Sequence, residues 1–409
     1  MTVVVGGGAA GMMAACTAAA RGKSVTVLER NAKTCRKVCI TGKGRCNLTN
    51  VCSGDELMQN IPGNGRFLYS ALTRFTYEDT MRFFEDAGVP LKIERGNRVF
   101  PVSDTAYDIA DALLRTAKAR GVRILEGRAV GLAVKDGRIA GVRYESARGD
   151  GFLAADAVIL ATGGKSYPAT GSTGDGYALA AEAGHTIVPP QGSLVPLNAP
   201  GCSPMQGLSL RNTGLELYNG KKKVYEDFGE LLFTHFGLSG PIVLSASARM
   251  RTAGEWRIVL DLKPALTPEQ LDARILRDFG EAKNRDFGNA LGKLAPRLLI
   301  PELVRRSGIP PDRKVNEVTR AERAKLAEVF RRFEIPVDGK RPVEEAIITA
   351  GGVSVREVDP KTMASKRVEG LYLAGELLDV DAYTGGFNLQ IAWSTGYVAG
   401  KSVLKEEYV

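Results

Sequence analysis

The chain has 409 residues, of which 44% are hydrophobic and 25% charged, and its formal net charge is +9. This length exceeds one ordinary hydrophobic core, so we expect two or three domains, and the composition is typical of a soluble globular protein. The two histidines exclude a His-rich metal site. No segment after the N-terminal glycine turn has 18 consecutive apolar residues, so we predict no membrane span and a cytoplasmic location.

The first thirty residues have the pattern of a β-α-β unit. Thr2–Val5 is a β-branched run that predicts a buried parallel strand, and the alanine-rich segment that follows predicts a helix up to Arg21. Gly22 is suited to end this helix, and Ser24–Leu28 predicts a second strand. This order is that of a nucleotide-binding unit at the N-terminus.

Three glycines between the first strand and the helix form a G-x-G-x-x-G fingerprint. Gly6 permits a tight turn, Gly8 lets a pyrophosphate approach the backbone, and Gly11 lets the helix pack closely on the strand. Glu29 ends the second strand, where a carboxylate accepts hydrogen bonds from the ribose hydroxyls of an adenosine. The pattern therefore predicts a dinucleotide site, and a plain glycine-rich turn is the alternative.

A cluster of positive charge follows this unit. Eight cations and one acid lie between Arg21 and Arg45, a balance that indicates either a solvated face or a surface that meets phosphate. Four cysteines, at 35, 39, 46 and 52, also fall in or beside this region. Their spacing matches no zinc or iron–sulfur pattern, so we predict reduced thiols and no metal. The remainder of residues 31–100 is expected to be irregular.

Regular elements are predicted again further along the chain. They comprise an amphipathic helix at Asp104–Arg120, strands at Val122–Leu125 and Ala157–Leu160, a hairpin of Val130–Val134 and Ile139–Tyr144 around Asp136-Gly137, short strands within 190–262, helices at Glu269–Phe279 and Ala321–Phe333, a strand at Leu371–Ala374 and a terminal helix at Trp393–Leu404. We expect an α/β fold whose discontinuous Rossmann-like domain comprises 1–190 and 341–409. A β-rich substrate domain at 191–265 and a helical subdomain at 266–340 interrupt it.

Features beyond the fingerprint favour FAD over NAD. Ala161-Thr162-Gly163-Gly164 ends a strand that follows the hairpin, an order typical of FAD folds, in which the backbone near Val130 meets the adenine. Near the C-terminus, GLYLAGE at 370–376 predicts a strand whose end lies against the ribityl–phosphate part of a flavin. Gly385-Gly386-Phe387-Asn388 then opens the last helix, and its N–H groups would stabilise negative charge on a reduced flavin.

Six motifs in order, from GGGAAG, ITGKGRCNLTN and ATGGKSYPATGSTGDGY through HFGLSGP and TAGGV to GLYLAGELLDVDAYTGGFNLQIAWSTG, resemble the HI0933-like family of FAD-dependent oxidoreductases. The resemblance extends from the first strand to the last helix. It implies a discontinuous FAD domain, an inserted β-barrel-like domain, a helical subdomain and non-covalent FAD.

These observations together define the expected FAD site. The predicted FAD-binding residues are Gly6, Gly8, Ala9, Ala10, Gly11, Glu29, Arg30, Lys37, Gly44, Arg45, Cys46, Asn47, Val130, Thr162, Gly163, Gly164, Gly375, Glu376, Asp381, Gly386, Phe387, Asn388 and Leu389. In the loop ITGKGRCNLTN, we expect Arg45 or Lys43 to offer charge to the pyrophosphate or the flavin, and Asn47 to hydrogen-bond the flavin ring. Glu376 and Asp381 are expected to anchor the ribityl chain or to order their loop.

The catalytic residue is not defined by the sequence. His235 and Tyr383 are candidates for proton transfer, and Cys46 for a redox thiol, although a structural histidine and a packed thiol are the alternatives. No second nucleotide fingerprint is present, since GSTGDG at 171–176 has the wrong spacing. NAD(P)H is therefore expected to bind transiently as the electron donor.

The expected reaction is hydride transfer from NAD(P)H through flavin to an activated C=C bond. The resemblance leaves three substrates open: a steroid or bile-acid type enone, a uridine of ribosomal RNA, and an amino-ketone oxidised with oxygen. The basic net charge, with Lys221-Lys222-Lys223 and Arg331-Arg332, suits an RNA partner, whereas a small molecule needs an apolar pocket. The sequence does not indicate an oligomeric state.

Overall fold

The computed structural model describes residues 1–403. The chain divides into two compact units: Met1–Ser193 together with the chain from Pro342 onward, and Leu194–Arg341. Each unit encloses its own hydrophobic core. Among the described residues, no helix combines the length and apolar character needed to cross a bilayer.

The elements are numbered in chain order. The strands are β1 (Thr2–Val5), β2 (Val25–Glu29), β3 (Thr49–Asn50), β4 (Leu91–Glu94), β5 (Arg98–Pro101), β6 (Arg123–Glu126), β7 (Arg128–Lys135), β8 (Arg138–Glu145), β9 (Gly151–Ala154), β10 (Ala157–Leu160), β11 (Ile187–Ser193), β12 (Leu197–Asn198), β13 (Ser209–Asn219), β14 (Lys222–Phe233), β15 (Gly237–Ser239), β16 (Trp256–Asp261), β17 (Phe333–Val337), β18 (Gly339–Lys340), β19 (Ile348–Val353) and β20 (Leu371–Leu373). The α-helices are α1 (Ala9–Ala19), α2 (Arg36–Ile40), α3 (Gly54–Gln59), α4 (Gly65–Arg74), α5 (Tyr77–Asp86), α6 (Ala106–Ala119), α7 (Asp175–Glu182), α8 (Pro241–Ser247), α9 (Pro268–Glu281), α10 (Phe287–Ala290), α11 (Ile300–Ser307), α12 (Arg320–Arg331) and α13 (Phe387–Ser402).

The first unit is organised around a parallel sheet with the strand order β20-β10-β1-β2-β6. Every residue of β1 and β10 is buried, which explains why both strands are continuous apolar runs in the sequence. The predicted strands Thr2–Val5 and Ala157–Leu160 are confirmed to the residue. The strand order and the crossover helix give the Rossmann-like α/β fold that the sequence predicts.

Helices α1 and α13 pack against each other at unusually close range. A Cβ on Gly396 would lie 2.3 Å from the carbonyl oxygen of Ala10, and one on Gly400 would lie 2.4 Å from that of Ala14. The helix α13 begins six residues before the predicted Trp393, because Gly385 and Gly386 adopt φ values of 132° and 101° that other residues avoid. The helix ends at Ser402, and the predicted end, Leu404, lies outside the described residues.

Residues 31–100 are more regular than expected. They contain the four helices α2–α5 and the antiparallel sheet of β3, β5 and β4. Both α3 and α5 begin with a capping box, formed by Ser53 with Glu56 and by Thr76 with Asp79. The prediction of an irregular segment is therefore wrong: it overlooked the two capping boxes, which signal a helix start in the sequence.

A separate antiparallel sheet of β7, β8 and β9 confirms the predicted hairpin. Its turn residues Asp136 and Gly137 have φ values of 51° and 76°. Two consecutive positive φ values are what a type I′ turn requires, and the Asp-Gly pair supplies them at low cost.

The second unit contains a seven-stranded sheet with the order β17-β16-β13-β14-β15-β12-β18. Its central strands are long, since β13 has 11 residues and β14 has 12, whereas short strands were expected. The edge strands β17 and β18 are separated in the chain by Asp338 alone, so the two edges of the sheet lie close together at this point. The helices α9–α12 belong to the same unit and share its core. The predicted helix Ala321–Phe333 ends at Arg331, and Phe333 begins β17.

Candidate functional site

A cleft lies in the first unit at the carboxyl ends of β1, β2 and β10, where open α/β sheets bind nucleotides. Many of the predicted residues share this cleft. Those that line it are Gly6, Gly8, Ala9, Ala10, Glu29, Arg30, Lys37, Thr162, Gly163, Gly375, Glu376, Asn388 and Leu389. The structure thus brings together residues from the N-terminal, middle and C-terminal parts of the chain.

The three fingerprint glycines are needed for different reasons. A Cβ on Gly6, whose φ is 101°, would lie 2.5 Å from the carbonyl oxygen of Ala161. One on Gly11 would lie 1.9 Å from the carbonyl oxygen of Gly6, so this glycine permits the close contact of helix and strand. Gly8 has no atom within 4 Å of the corresponding position and lines the cleft. Its missing side chain therefore leaves room for a ligand.

Two helices begin at the cleft. Gly8 precedes α1 and Gly386 precedes α13, and neither helix has a side-chain cap. The first N–H groups of a helix have no acceptor within the helix and lie at the positive end of its dipole. Ala9 and Ala10 of α1, and Asn388 and Leu389 of α13, line the cleft. Both helix ends are thus suited to negatively charged groups of a ligand.

Glu29 is buried at the end of β2 and is held by backbone and side-chain donors. Its Oε2 accepts a hydrogen bond of 2.6 Å from the N–H of Gly7. Its Oε1 accepts bonds of 2.9 Å from the Asn31 N–H and 2.7 Å from Asn31 Nδ2. A carboxylate has about four acceptor positions, so the carboxylate retains acceptor capacity toward the cleft. This placement fits the predicted contact with ribose hydroxyls.

Arginines flank the cleft near Glu29. Arg30 donates hydrogen bonds to Thr173 Oγ1 at 2.5 Å and to Asp175 Oδ2 at 3.1 Å, and Arg128 donates to Asp175 at 2.8 Å. Burial would raise the pKa of Asp175, but the hydrogen bonds from Arg128 and Thr173 and the charge of Arg30 outweigh it and lower the pKa. Asp175 is therefore ionised and fixes both guanidinium groups beside the cleft.

A second polar group lines the cleft between α2 and the loop after β20. Lys37 Nζ lies 2.7 Å from Glu376 Oε2 and 2.6 Å from Ser166 Oγ. Glu376 Oε1 also accepts hydrogen bonds of 2.9 Å from Ser166 Oγ and from the Thr349 N–H. These bonds tie the loop that contains Glu376 to Lys37, Ser166 and Thr349.

The other predicted FAD-binding residues do not line the cleft. They are Gly11, Gly44, Arg45, Cys46, Asn47, Val130, Gly164, Asp381, Gly386 and Phe387. Gly11 lies in the first turn of α1, and Gly386 immediately precedes α13. Val130 is 40% exposed on β7, and Gly127, Arg128 and Ala129 line the cleft instead. Asp381 is buried and accepts a hydrogen bond of 2.6 Å from Ser193 Oγ.

Arg45 differs most from its predicted role. Its Nε donates to Asp104 at 2.8 Å, a second ion pair joins it to Glu94, and the guanidinium lies 4.2 Å from the centre of the Phe100 ring. The hydrogen bonds with Glu94 and Asp104 raise the pKa of Arg45. Its guanidinium is therefore held by two carboxylates of its own unit, Glu94 and Asp104, which also pair with Lys92. The expectation that Arg45 offers charge to the pyrophosphate or the flavin stays a prediction, and these ion pairs do not favour it. Lys43, with a φ of 60°, is exposed.

The three catalytic candidates lie outside the cleft lining. Cys46 is fully buried, and burial raises the pKa of its thiol to about 12, so it is a neutral, packed group. Tyr383 is 9% exposed, and its N–H donates to the carbonyl of Asn60. His235 is exposed in the second unit, where its ring lies edge-on to Phe236. The geometry supports a packing role for Cys46 and assigns no catalytic role to the other two.

Several residues that line the cleft were not predicted. They include Asn31, Lys33, Cys35, Arg36, Thr41, Gly127, Arg128, Ala129, Thr170, Gly171, Ser172, Asp175 and Ile348. Two signals were available in the sequence: the cationic cluster before Arg45, and the glycine-rich segment GSTGDG, which lacks nucleotide-fingerprint spacing. Proximity in the fold, rather than a motif, brings Arg128 and Ile348 to the cleft.

The described residues fit an FAD molecule. The glycine turn leaves the backbone of Gly8 open, two helix N-termini offer N–H donors, and Glu29 offers an acceptor. The hydroxyl of Thr162, which lines the cleft, and the Oδ1 of Asn47 are buried without a hydrogen-bond partner in the protein. Buried polar atoms are normally satisfied, so the Thr162 hydroxyl in particular calls for a partner in the cleft.

Comparisons with known proteins agree with this geometry. The family described as "HI0933-like protein Rossmann domain" matches residues 1–402. The 3-dehydro-bile acid delta(4,6)-reductase of Clostridium scindens is 32% identical, with 98% of each chain covered. The ribosomal RNA dihydrouridine synthase of Haemophilus influenzae is 31% identical, with 99% of this chain and 98% of that protein covered.

Solved structures show the same fold at low sequence identity. The 3-ketosteroid-delta4-(5alpha)-dehydrogenase of Rhodococcus jostii RHA1 is 15% identical with a TM-score of 0.51, covering 99% of this chain and 96% of that one. The 3-ketosteroid delta1-dehydrogenase of Sterolibacterium denitrificans is 14% identical with a TM-score of 0.52, covering 98% of each. The chain therefore belongs to the HI0933-like family and is an FAD-dependent oxidoreductase with a Rossmann-like fold.

Proposed function

We propose that this protein reduces an activated C=C bond, conjugated to a carbonyl, in a small molecule of the steroid or bile-acid type. The observation that carries the proposal is the end-to-end similarity to a 3-dehydro-bile acid delta(4,6)-reductase. A ketone conjugated to a double bond accepts hydride because the carbonyl takes up the developing negative charge. The bound FAD would supply a two-electron carrier that accepts hydride from NAD(P)H and returns it to the substrate.

The chain itself would bind and orient this cofactor. The N-terminal N–H groups of α1, beside the open backbone of Gly8, would hold the pyrophosphate, and Glu29 would accept hydrogen bonds from the adenosine ribose. The pair of Lys37 and Glu376 would fix the loop after β20 against the ribityl side. The N-terminus of α13 would stabilise negative charge at its end of the cleft.

Anaerobic reduction and reoxidation test this proposal. The purified holoenzyme is first reduced with NADH or NADPH, and loss of the flavin absorbance at about 450 nm reports which donor reduces it. A 4-ene-3-ketosteroid is then added, and we expect the absorbance to return with formation of a product two mass units heavier. The matching saturated 3-ketosteroid is the control. Failure of every conjugated enone to reoxidise the reduced enzyme would contradict the proposal.

Ribosomal RNA is the second candidate substrate. A uridine also contains a C=C bond conjugated to a carbonyl, and the relative from Haemophilus influenzae is named a ribosomal RNA dihydrouridine synthase. The net charge of +9 favours an acidic partner. In the hairpin of β13 and β14, however, Lys223 is paired with Glu216 and Glu226, which reduces the charge that its lysines offer.

RNA analysis separates the two candidates. If RNA is the substrate, ribosomal RNA from cells lacking the gene loses a dihydrouridine, and binding of the protein to RNA weakens steeply as salt is raised. If the substrate is a small enone, the dihydrouridine content is unchanged while free enones reoxidise the reduced enzyme.

A further inference from the structure

Asn31 has a set of contacts that the fingerprint does not explain. It follows β2 by two residues and gives Glu29 Oε1 both its N–H, at 2.9 Å, and its Nδ2, at 2.7 Å. The same Nδ2 lies 3.1 Å from the carbonyl oxygen of Thr170. Its Oδ1 accepts a hydrogen bond of 2.8 Å from Arg36. One amide therefore joins the ribose-binding carboxylate to two other segments of the cleft.

The segment GSTGDG at 171–176, which has no role as a fingerprint, is shaped by this amide. A Cβ on Gly171, whose φ is 108°, would lie 2.5 Å from Asn31 Nδ2. Any other residue at 171 would displace either the amide or the turn. Thr170 and Gly171 also line the cleft, and two further bonds hold the same loop, from Arg30 to Thr173 and from Lys37 to Ser166. The loop is thus tied to the segment after β2 along its length.

We propose that Asn31 is a positioning residue for FAD: its amide fixes the orientation of Glu29 toward the ribose and holds the Thr170–Gly171 turn against the cleft. A carboxylate with two donors on one oxygen cannot rotate freely, so its remaining acceptor positions stay directed toward the ligand. The turn, held by the same amide, limits escape of the adenosine end. This inference rests on the proposed binding of FAD and adds a residue that acts through Glu29.

Release of FAD from the holoenzyme tests the inference. The protein-bound flavin absorbance is measured after rapid gel filtration at timed intervals, for wild type, Asn31→Ala and Asn31→Asp, with the exposed Asn284→Ala of the second unit as the control. We expect Asn31→Ala to release FAD about tenfold faster, since a hydrogen bond to a charged group is lost. We expect Asn31→Asp to release it faster still, because its carboxylate faces that of Glu29.

The Asn31→Asp variant distinguishes a role in positioning Glu29 by hydrogen bonds from a role in packing alone. Aspartate has nearly the same shape as asparagine, so a role in packing alone predicts wild-type release for Asn31→Asp, and that result would overturn the inference. The release rates of Asn31→Ala and Asn31→Asp can be compared at any temperature at which both apoproteins are folded. Gly171→Ala provides a second approach, since its Cβ displaces the amide while Asn31 is present, and it too should release FAD faster.

A double-mutant cycle tests whether Asn31 acts through Glu29. If it does, Asn31→Ala accelerates release much less in the Glu29→Gln background than in wild type, so the double variant falls well short of the product of the two single effects. Independent effects that multiply would overturn the inference. If the wild-type protein, once loaded with FAD, does not retain it, that result would instead contradict the proposed function. The two failures are therefore distinguishable.

Discussion

Gly8 and Gly11 differ in the space that is available for a Cβ atom. A Cβ at Gly8 meets no protein atom within 4 Å, and its φ of −83° suits any residue. A Cβ at Gly11 would lie 1.9 Å from the carbonyl oxygen of Gly6. We therefore expect Gly8→Ala to leave the apoprotein as stable as wild type but to weaken FAD binding, and Gly11→Ala to lower the free energy of unfolding by about 1–3 kcal/mol.

Chemical denaturation of the apoproteins and titration with FAD check this pair. Each variant serves as the control for the other, because both add one methyl group within the same turn. A Gly8→Ala apoprotein that unfolds as early as Gly11→Ala, or that binds FAD as tightly as wild type, would show that the open space at Gly8 is not where the ligand lies.

Single residues could be predicted where the residue type and its spacing in the sequence point to the same role. Gly6, Gly8 and Glu29 belong to a spacing that can be read without a structure, and all three line the cleft. The ion pairs of Arg45 were not predicted, because its partners Glu94 and Asp104 lie about 50 or more residues away in the chain, which no local pattern reports. Asn31 was missed for the same reason, since its link to Thr170 spans 139 residues.

The contact of α1 with α13 is the element-scale feature on which the cleft depends. Both helices begin at the cleft, and Gly396 and Gly400 allow their backbones to approach. A methyl group at Gly396 meets the backbone of Ala10, which itself lines the cleft, so it would push α13 away from the first turn of α1. We expect Gly396→Ala to lower the free energy of unfolding by about 3 kcal/mol and to weaken FAD binding as well.

Matched substitutions on α13 check this expectation in the same denaturation and FAD titration. Gly400→Ala, placed one turn further from the cleft, should lower stability by a similar amount with a smaller effect on FAD. Lys401→Ala changes an exposed side chain on the same helix and should remain within about 0.5 kcal/mol of wild type. Equal loss of FAD affinity in both glycine variants would argue against a local effect on the helix ends.

His185 ties the end of α7 to the segment before β20. It is 4% exposed; its Nε2 lies 2.8 Å from Ser365 Oγ and its Nδ1 lies 3.4 Å from Glu357. Burial lowers the pKa of His185 below its ordinary 6.5, although Glu357 opposes this shift and Arg367 adds to it. The unfolded chain therefore binds the proton more readily, so stability is full above about pH 6.5 and declines as the pH falls below that value.

The exposed His235 provides the control for this pH dependence, since the chain has two histidines. Thermal unfolding between pH 7.5 and 5.5 should depend less on pH in His185→Gln than in wild type, whereas His235→Gln should follow wild type. This window avoids Glu357, whose pKa is lowered to about 2, chiefly by its hydrogen bond from Arg367. An unchanged pH dependence in His185→Gln would show that the buried imidazole is not the group that titrates.

Elements were predictable in proportion to their length and to the clarity of their pattern. The strands β1 and β10 are continuous apolar runs, and α6 has a clear helical period, so each was located within about two residues. The segment 31–100 was not, because its helices have ten residues or fewer and the capping boxes that begin α3 and α5 were overlooked. The return of β17 to pair with β16 depends on contacts across more than 70 residues, which the local sequence does not encode.

At the scale of the whole molecule, the two units have separate cores and different expected responses to the cofactor. All residues that line the cleft belong to the unit formed by Met1–Ser193 and the chain from Pro342 onward. A ligand that binds the folded state alone stabilises it by about 2.7 kcal/mol at 100 times its dissociation constant. FAD should therefore stabilise the unit that contains the cleft.

Hydrogen–deuterium exchange of the apoprotein with and without FAD can locate this stabilisation. We expect FAD to slow exchange in the glycine turn at 6–11, in the loop at 161–175 and at the start of α13, because local opening of these segments exposes the cleft. Helices α9 and α12 of the second unit, whose residues do not line the cleft, are the internal control and should exchange at the same rate. Protection that appears in α9 and α12 but not in the glycine turn would mean that FAD binds elsewhere on the chain.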